Sequence, residues 1–296
     1  MRHEAKLVDF DQGSSQWHAW REKRITASRV PAIMGESPFK TPYQTWEDLI
    51  GLSEKQIQTE AMKRGVDLEP LVRQMISTRL QVDLQPRCYE HPTIQYFGAS
   101  LDGICPRGKI AVEIKCGNYK DHELTKSGVI PVKYKGQLQA IMEVMGLDTM
   151  YYCSYYERFG MSPGEEGELV IVPVARDLGY VTEMLAKIKE FWKMVQDFTP
   201  PERAPKDFVL NESEEWINKA QEYKSLENSL KELEKRKEML RGDLLALTGG
   251  MSTMGAGLRI SKVLEKGRVD YNRIPQLAEI NLDAYRKEPI TKWRFT

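Results

Sequence analysis

The sequence predicts an α/β (α+β) core followed by a helical carboxy-terminal extension, on three observations. Stretches with apolar residues at three-and-four spacing alternate with short extended runs rich in Val, Ile and Tyr. The extended runs crowd between Arg87 and Lys115, where Asp-Gly and Pro-Arg-Gly separate them as turns would in a strand meander. Past about residue 200 a long helical period, Trp216 to Leu247, precedes a stretch that alternates as a hairpin would.

In chain order, three short helical segments open the fold: Trp17 to Arg21, one starting near Thr26, and Pro42 to Ile50, capped by Thr41 with Pro42 in its first turn. A longer helix is expected from about Gln58 to Leu80, carrying Glu69, with Gly65 and Pro70 as points of interruption. The meander follows, as CYEHP, TIQYFGASLDG and KIAVEIKC. Then come a helix from Pro131 to near Gly146, strands at Met150–Tyr156 and Glu168–Val174, and a helix from Asp177 to about Phe198.

The segment TPPERAPKDF reads as an exposed linker, so the expected domains are 1–200 and 201–296. In the second, Trp216 to Leu247 predicts one long helix or a helical hairpin, with Lys237 interrupting an apolar seam. The glycine-rich TGGMSTMGAG reads as a turn and lacks the Gly-Lys-Ser/Thr ending of a phosphate loop. A hairpin from Leu258 onward and a short terminal helix complete the expectation.

Composition narrows the function class. A chain of 296 residues with 41% hydrophobic and 29% charged residues is an ordinary globular protein rather than a disordered one. Lys plus Arg (43) balances Asp plus Glu (43), so any nucleic-acid contact must come from a local basic patch. Cys88, Cys105, Cys116 and Cys153 show no CxxC pair, which argues against a zinc or iron–sulfur site and for reduced thiols. With neither a signal-peptide run nor a spanning apolar stretch, the expected location is cytoplasmic.

The chemistry concentrates in Gly98-Ala-Ser-Leu-Asp102-Gly and Ala111-Val-Glu113-Ile-Lys115-Cys. Strand alternation sends Glu113 and Lys115 to one side, and two carboxylates and an ammonium converge if Asp102 ends the neighbouring strand. Asp102 and Glu113, with the Ile114 carbonyl, offer hard oxygen ligands suited to Mg²⁺, for which Mn²⁺ is the expected substitute. Glu69 is a further candidate, reaching the metal directly or through water. A metal so held polarises a phosphate and activates water, and Lys115 orients that water or stabilises developing charge; phosphodiester hydrolysis is the natural reaction.

With Trp17-His18, Ile25-Thr-Ala-Ser28, Gly65 with Glu69, Ser100 with Asp102-Gly103, Glu113-Ile-Lys115-Cys116 and Gln137-x-Gln139 in that order, the chain resembles the lambda-exonuclease and YqaJ group of phage recombination nucleases, within the PD-(D/E)XK superfamily. The resemblance runs over about residues 14–200. It implies a restriction-endonuclease-like core with a central mixed β-sheet flanked by helices, divalent-metal catalysis and digestion of duplex DNA. It further implies a pocket for a terminal 5′-phosphate at Arg21, Ser28, Ser100 and Gln137, hence 5′-to-3′ polarity, a ring-shaped trimer and a single-strand annealing protein as partner. Leu101 stands where such enzymes often carry proline, and the extension of about ninety residues departs from the compact pattern.

Lys23, Arg24 and Arg29 are candidate backbone contacts or plain surface charges, and Trp17, Trp20 and Tyr134 are expected to pack rather than stack on bases. The extension is expected to oligomerise, grip DNA or pack on the core. Two other functions remain open at this stage: a nicking or structure-specific endonuclease, which would cut a closed circle, and an inactive DNA-binding recombination scaffold.

Overall fold

The computed structural model describes residues 3–53, 59–105, 110–157, 167–265, 267 and 287. Two compact units are present, Met1–Val209 and Leu210–Thr296.

The first unit is organised by a seven-stranded mixed sheet. Its strands are β1 (Lys6–Val8), β2 (Ile25–Thr26), β3 (Gln85–Glu90), β4 (Phe97–Cys105), β5 (Ile110–Cys116), β6 (Thr149–Tyr156) and β7 (Glu168–Ala175). The order is β1-β3-β4-β5-β6-β7, with β2 added alongside β4. Strand β5 runs parallel to β6, and β2 parallel to β4, while the remaining pairs are antiparallel. A parallel pair needs a long crossover. Between β5 and β6 this is supplied by α5 (Tyr119–Lys126) and α6 (Val132–Met145).

The other helices are α1 (Ser15–Glu22), a 3₁₀ turn (Ala27–Arg29) leading into α2 (Val30–Ile33), α3 (Pro42–Ile50), α4 (Glu60–Leu80) and α7 (Leu178–Gln196). Helices cover both faces of the sheet. On one, Phe97, Ala99 and Leu101 of β4 pack with Leu138 and Ile141 of α6 and Met184 and Ile188 of α7. On the other, Leu68, Val72 and Ile76 of α4 pack on Val112, Ile114, Cys153 and Tyr155. Strand alternation explains the split, since Ala111 belongs to the first layer and Val112 and Ile114 to the second.

Local sequence accounts for most helix ends. Thr41 and Gln44 form a capping box with Pro42 in the first turn of α3, and Gly51 closes that helix with a left-handed φ of 78°. Helix α4 continues through Gly65 and Pro70 without the interruption expected. Pro70 lies on the exposed side, where water can satisfy the freed carbonyl of Val66.

Three further expectations are corrected. Asp102-Gly103 is not a turn ending a strand: both lie within β4, which runs on to Cys105. The ladder steps from Arg87 opposite Leu101 to Gln85 opposite Ile104, so β4 carries an extra residue, a β-bulge, at this point. Gly103 is needed there, because a Cβ on it would come 2.8 Å from Val112 Cγ2. Helix α5 gave no apolar period, because the side chains it buries, His122 and Thr125, are polar. The proline-rich 199–208 segment is tied down rather than free. The Thr41 hydroxyl donates to Asp207 at 2.5 Å, and Arg203 donates to the Tyr43 hydroxyl at 2.7 Å while covering that ring.

In the second unit, α8 (Glu214–Leu247) is one continuous helix and not a hairpin. It is followed by a small hairpin of β8 (Thr253–Gly255) and β9 (Leu258–Ile260). The first of these strands falls inside the glycine-rich stretch expected as a turn, and the reversal is made by Ala256-Gly257, both at positive φ. The expected terminal helix lies outside the described residues.

Candidate active site

The sheet, α4 and α6 bring the candidate residues to one place. Glu113 and Lys115, two apart on β5, project together: Lys115 Nζ donates to Glu113 Oε1 at 2.5 Å. The same oxygen accepts from Gln137 Nε2 of α6 at 2.5 Å. Glu113 is 1% exposed, and its other oxygen, Oε2, is buried without a hydrogen-bond partner. Asp102 reaches β5 from the bulge of β4, its Oδ2 accepting from the Ile114 amide at 2.8 Å. From α4, Arg73 pairs with Glu69 and donates through Nε to the Asp102 carbonyl at 2.5 Å, joining that helix to β4 beside the carboxylates.

Charge at this cluster is unbalanced. Burial, then the neighbouring Asp102 and Glu69 charges, push the Glu113 carboxyl up to about 8 against the pull of Lys115. Burial likewise raises Asp102, although Lys115 and the Ile114 amide oppose it. Glu69 is raised by burial and by Asp102, with Arg73 opposing. Burial works against the charge on Lys115, but Glu113 and Asp102 outweigh it and hold the ammonium well above its ordinary range. Three crowded carboxyls and an unpartnered buried oxygen make a site that gains from a small hard cation. Asp102 and Glu113 Oε2 are the donors in place, with the Ile114 carbonyl and Glu69 as further candidates.

The phosphate-pocket candidates are joined differently from the expectation. Arg21 donates to the Ser28 hydroxyl at 3.0 Å, and Ser28 exchanges a hydrogen bond with Thr26 at 3.1 Å. The Arg21 guanidinium lies over the Trp17 ring at 4.5 Å, and the Trp17 indole N–H donates to Ser100 at 2.9 Å. Trp17 therefore links Arg21 and Ser28 to Ser100, a role beyond the packing expected of it, while Gln137 turns to Glu113. Burial lowers Arg21, while the charges of Cys88, Glu113 and Asp102 oppose that shift.

Arg24 pairs with Glu90 at 2.8 Å, and Arg29 donates to the Arg21 and Arg24 carbonyls at 2.5 and 2.6 Å. Both are engaged in holding the end of α1. Tyr134 presents its ring to Lys115 at 5.4 Å and to Lys133 at 5.2 Å. Arg73 was missed in the sequence, although its position four residues after Glu69 on a helix was a readable signal.

A second group of potential ligands, His3, His91 and Glu143, lies close together. Its hydrogen bonding suits a structural network better than a metal. His91 Nδ1 accepts from the Ile94 amide at 3.0 Å and the Thr93 amide at 3.3 Å, which places the ring proton on Nε2, facing Glu143 at 3.5 Å. Arg176 pairs with the same carboxylate.

Residues 16–148, which include Glu69, Asp102, Glu113, Lys115 and Gln137, match the model of the YqaJ-like viral recombinase domain. The uncharacterised protein YqaJ of Bacillus subtilis (strain 168) is 26% identical over 148 residues, 49% of this chain and 46% of that protein. The chain thus spans about half the length of that curated relative. Among solved structures, the alkaline exonuclease LHK-Exo from Laribacter hongkongensis is 27% identical with a TM-score of 0.53, over 63% of this chain and 94% of that one. Its complex with dAMP gives 26% identity and the same TM-score and coverage. Residues 16–148 are thus similar to the YqaJ-like viral recombinase domain, and the fold of the first unit is similar to that of an alkaline exonuclease.

Proposed function

We propose that the chain is a Mg²⁺-dependent exonuclease that degrades linear duplex DNA from 5′-phosphorylated ends in the 5′-to-3′ direction. The single observation that carries this reading is Asp102 held on the amide of Ile114, which lies between Glu113 and Lys115 in sequence, with Lys115 bonded to one Glu113 oxygen and the other buried without a hydrogen-bond partner. Asp102 and Glu113 Oε2 would hold the metal, with the Ile114 carbonyl and Glu69 as further oxygen donors. When bound, Mg²⁺ polarises the scissile phosphate and lowers the pKa of a water. Lys115 stays protonated and stabilises the charge that develops on the phosphate oxygens. Gln137 and Lys115 share Glu113 Oε1, which fixes the carboxylate plane and leaves its other oxygen as the one that would bind the metal.

Arg21, Ser28 and Ser100 take the terminal phosphate, with Trp17 holding Arg21 and Ser100 in one arrangement. The dAMP bound by LHK-Exo suits a reaction that releases mononucleotides. The product is a 3′ overhang for a single-strand annealing protein, made by a ring of three copies in the cytoplasm of a bacterial cell or phage-infected host. No helix among the described residues is long and apolar enough to cross a membrane.

The test is digestion of end-labelled linear duplex with 5′-phosphate or 5′-hydroxyl termini beside a covalently closed circle, in Mg²⁺ and in chelator. Release of mononucleotides from the phosphorylated end alone, abolished by chelator and by Asp102→Ala, is the expected result. Cutting of the circle would replace the exonuclease by an endonuclease. Equal background activity in wild type and Asp102→Ala would leave a DNA-binding scaffold.

A further inference from the structure

The second unit carries an apolar surface that the candidate active site does not use. Starting from Tyr223 on α8, steps of three and four residues land on leucine every time as far as Leu247, except at Lys237. That is a heptad seam of a and d positions in one continuous register, with Lys237 as its single charged member. Every apolar member of the seam is between 38% and 81% exposed, and no residue of α8 is buried. A helix with Gly242 inside it and its apolar row in water is poorly stabilised alone, because helices in proteins draw most of their stability from a packed face.

We propose that α8 pairs with α8 of a second copy of this chain as an antiparallel two-stranded coiled coil centred near Lys235. The charges beside the seam choose both partner and direction. In a parallel homodimer the flanking g and e′ positions oppose Glu222 to Glu227 and Arg236 to Arg241, each repeated by symmetry, and Lys237 meets its own copy in the core. Such like-charge contacts disfavour that arrangement.

Reversing one helix about residue 235 sets Leu230 against Leu240 and Leu233 against Lys237 of the other copy. It also brings Glu227 opposite Arg241 and lets Lys237 lean out of the seam toward Glu234, whose other neighbour across the interface is again Arg241. Arg236 then faces its own copy on one edge and Glu234 its own copy on the other, two like-charge contacts against attractive pairs that are each formed twice. Lys237 is thereby explained: it costs little beside Glu234 in the antiparallel pair and is repelled in the parallel one, so it selects direction.

Such a two-fold contact is distinct from any three-fold ring made by the first unit. Together the two would give an assembly of dihedral symmetry, and α8 alone would give a dimer. Light scattering after size exclusion on the full chain therefore yields an even number of copies, and Leu230→Glu with Leu233→Glu halves the mass. Unchanged Mg²⁺-dependent digestion and an unchanged thermal melt of the first unit in that variant separate lost pairing from lost folding.

Direction is read by disulfide formation. Tyr223→Cys copies mixed with Leu247→Cys copies cross-link to each other, while Tyr223→Cys alone does not. Wild-type chain under the same oxidant controls for the native cysteines. A wild-type mass equal to an odd number of copies, a mass unmoved by the double variant, or self-cross-linking of Tyr223→Cys would overturn the proposal. Its failure leaves the nuclease reading intact, since that is judged by digestion alone.

Discussion

Metal binding at Asp102 and Glu113 is expected to be steeply pH-dependent, because the Glu113 carboxyl stands at about 8 before the ion arrives. A metal ligand must be deprotonated, so binding below that point expels a proton, and affinity changes about tenfold per pH unit per proton. From pH 8 down to pH 6 the Mg²⁺ affinity should therefore fall by roughly fiftyfold, approaching a tenfold change per pH unit at the acid end. Above pH 8 it should level off. Linkage gives the same sign for stability: a carboxyl raised in the folded state makes the metal-free protein lose stability as pH climbs from the ordinary glutamate value toward about 8. The gain in Tm on adding Mg²⁺ must then grow over that window. Isothermal titration at pH 6, 7, 8 and 9, in buffers of different ionisation enthalpy, counts the proton directly. An affinity that is flat from pH 6 to 8, with no proton released, would refute the electrostatic account of the site.

Four other outcomes test individual residues. Lys115→Ala should lower turnover by about a thousandfold or more while duplex binding in Ca²⁺ stays within a few-fold, since the ammonium acts on charge that exists only in the transition state. Arg73→Met should slow turnover roughly tenfold to a hundredfold, by releasing Glu69 and the Asp102 carbonyl, with KM for DNA unchanged and partial recovery in Arg73→Lys; a shift in KM alone would remove its positioning role. Arg21→Ala should erase the preference for 5′-phosphorylated over 5′-hydroxyl ends, and an unchanged ratio would take Arg21 out of the pocket. Glu143→Gln should cost about 2 kcal/mol in chemical denaturation by stranding Arg176. Its carboxyl is held below the usual glutamate range by His91 and Arg176, so that contribution is present at neutral pH and fades as pH falls through the acidic range; an equal difference between variant and wild type at pH 4 would contradict this.

Helices with an apolar face and clear caps were legible: Thr41, Pro42 and Gly51 bracket α3, and the period from Leu68 to Leu80 marks α4. Glu113 and Lys115 were legible for the same reason, because a period of two fixes which side chains share a face. Asp102 was found through its neighbours but its setting was misread. Asp-Gly is turn chemistry by default, and only the close approach of Val112 to Gly103, a tertiary fact, keeps the pair within a strand. β1 and β2 are too short to show alternation, and α5 buries polar side chains that leave no apolar imprint. Arg73 escaped notice, and Trp17 was read only as a packing residue, because their contacts with Asp102 and Ser100 join segments far apart in sequence.

The fastening of residues 199–208 decides where the chain can be cut. A fragment stopped at residue 200 would strip Arg203 from Tyr43 and Asp207 from Thr41, uncovering an aromatic ring and removing a partner from the cap of α3. One ending after Val209 keeps both fastenings, so the shortest autonomous form of the first unit is expected to carry this proline-rich strap as its final stretch.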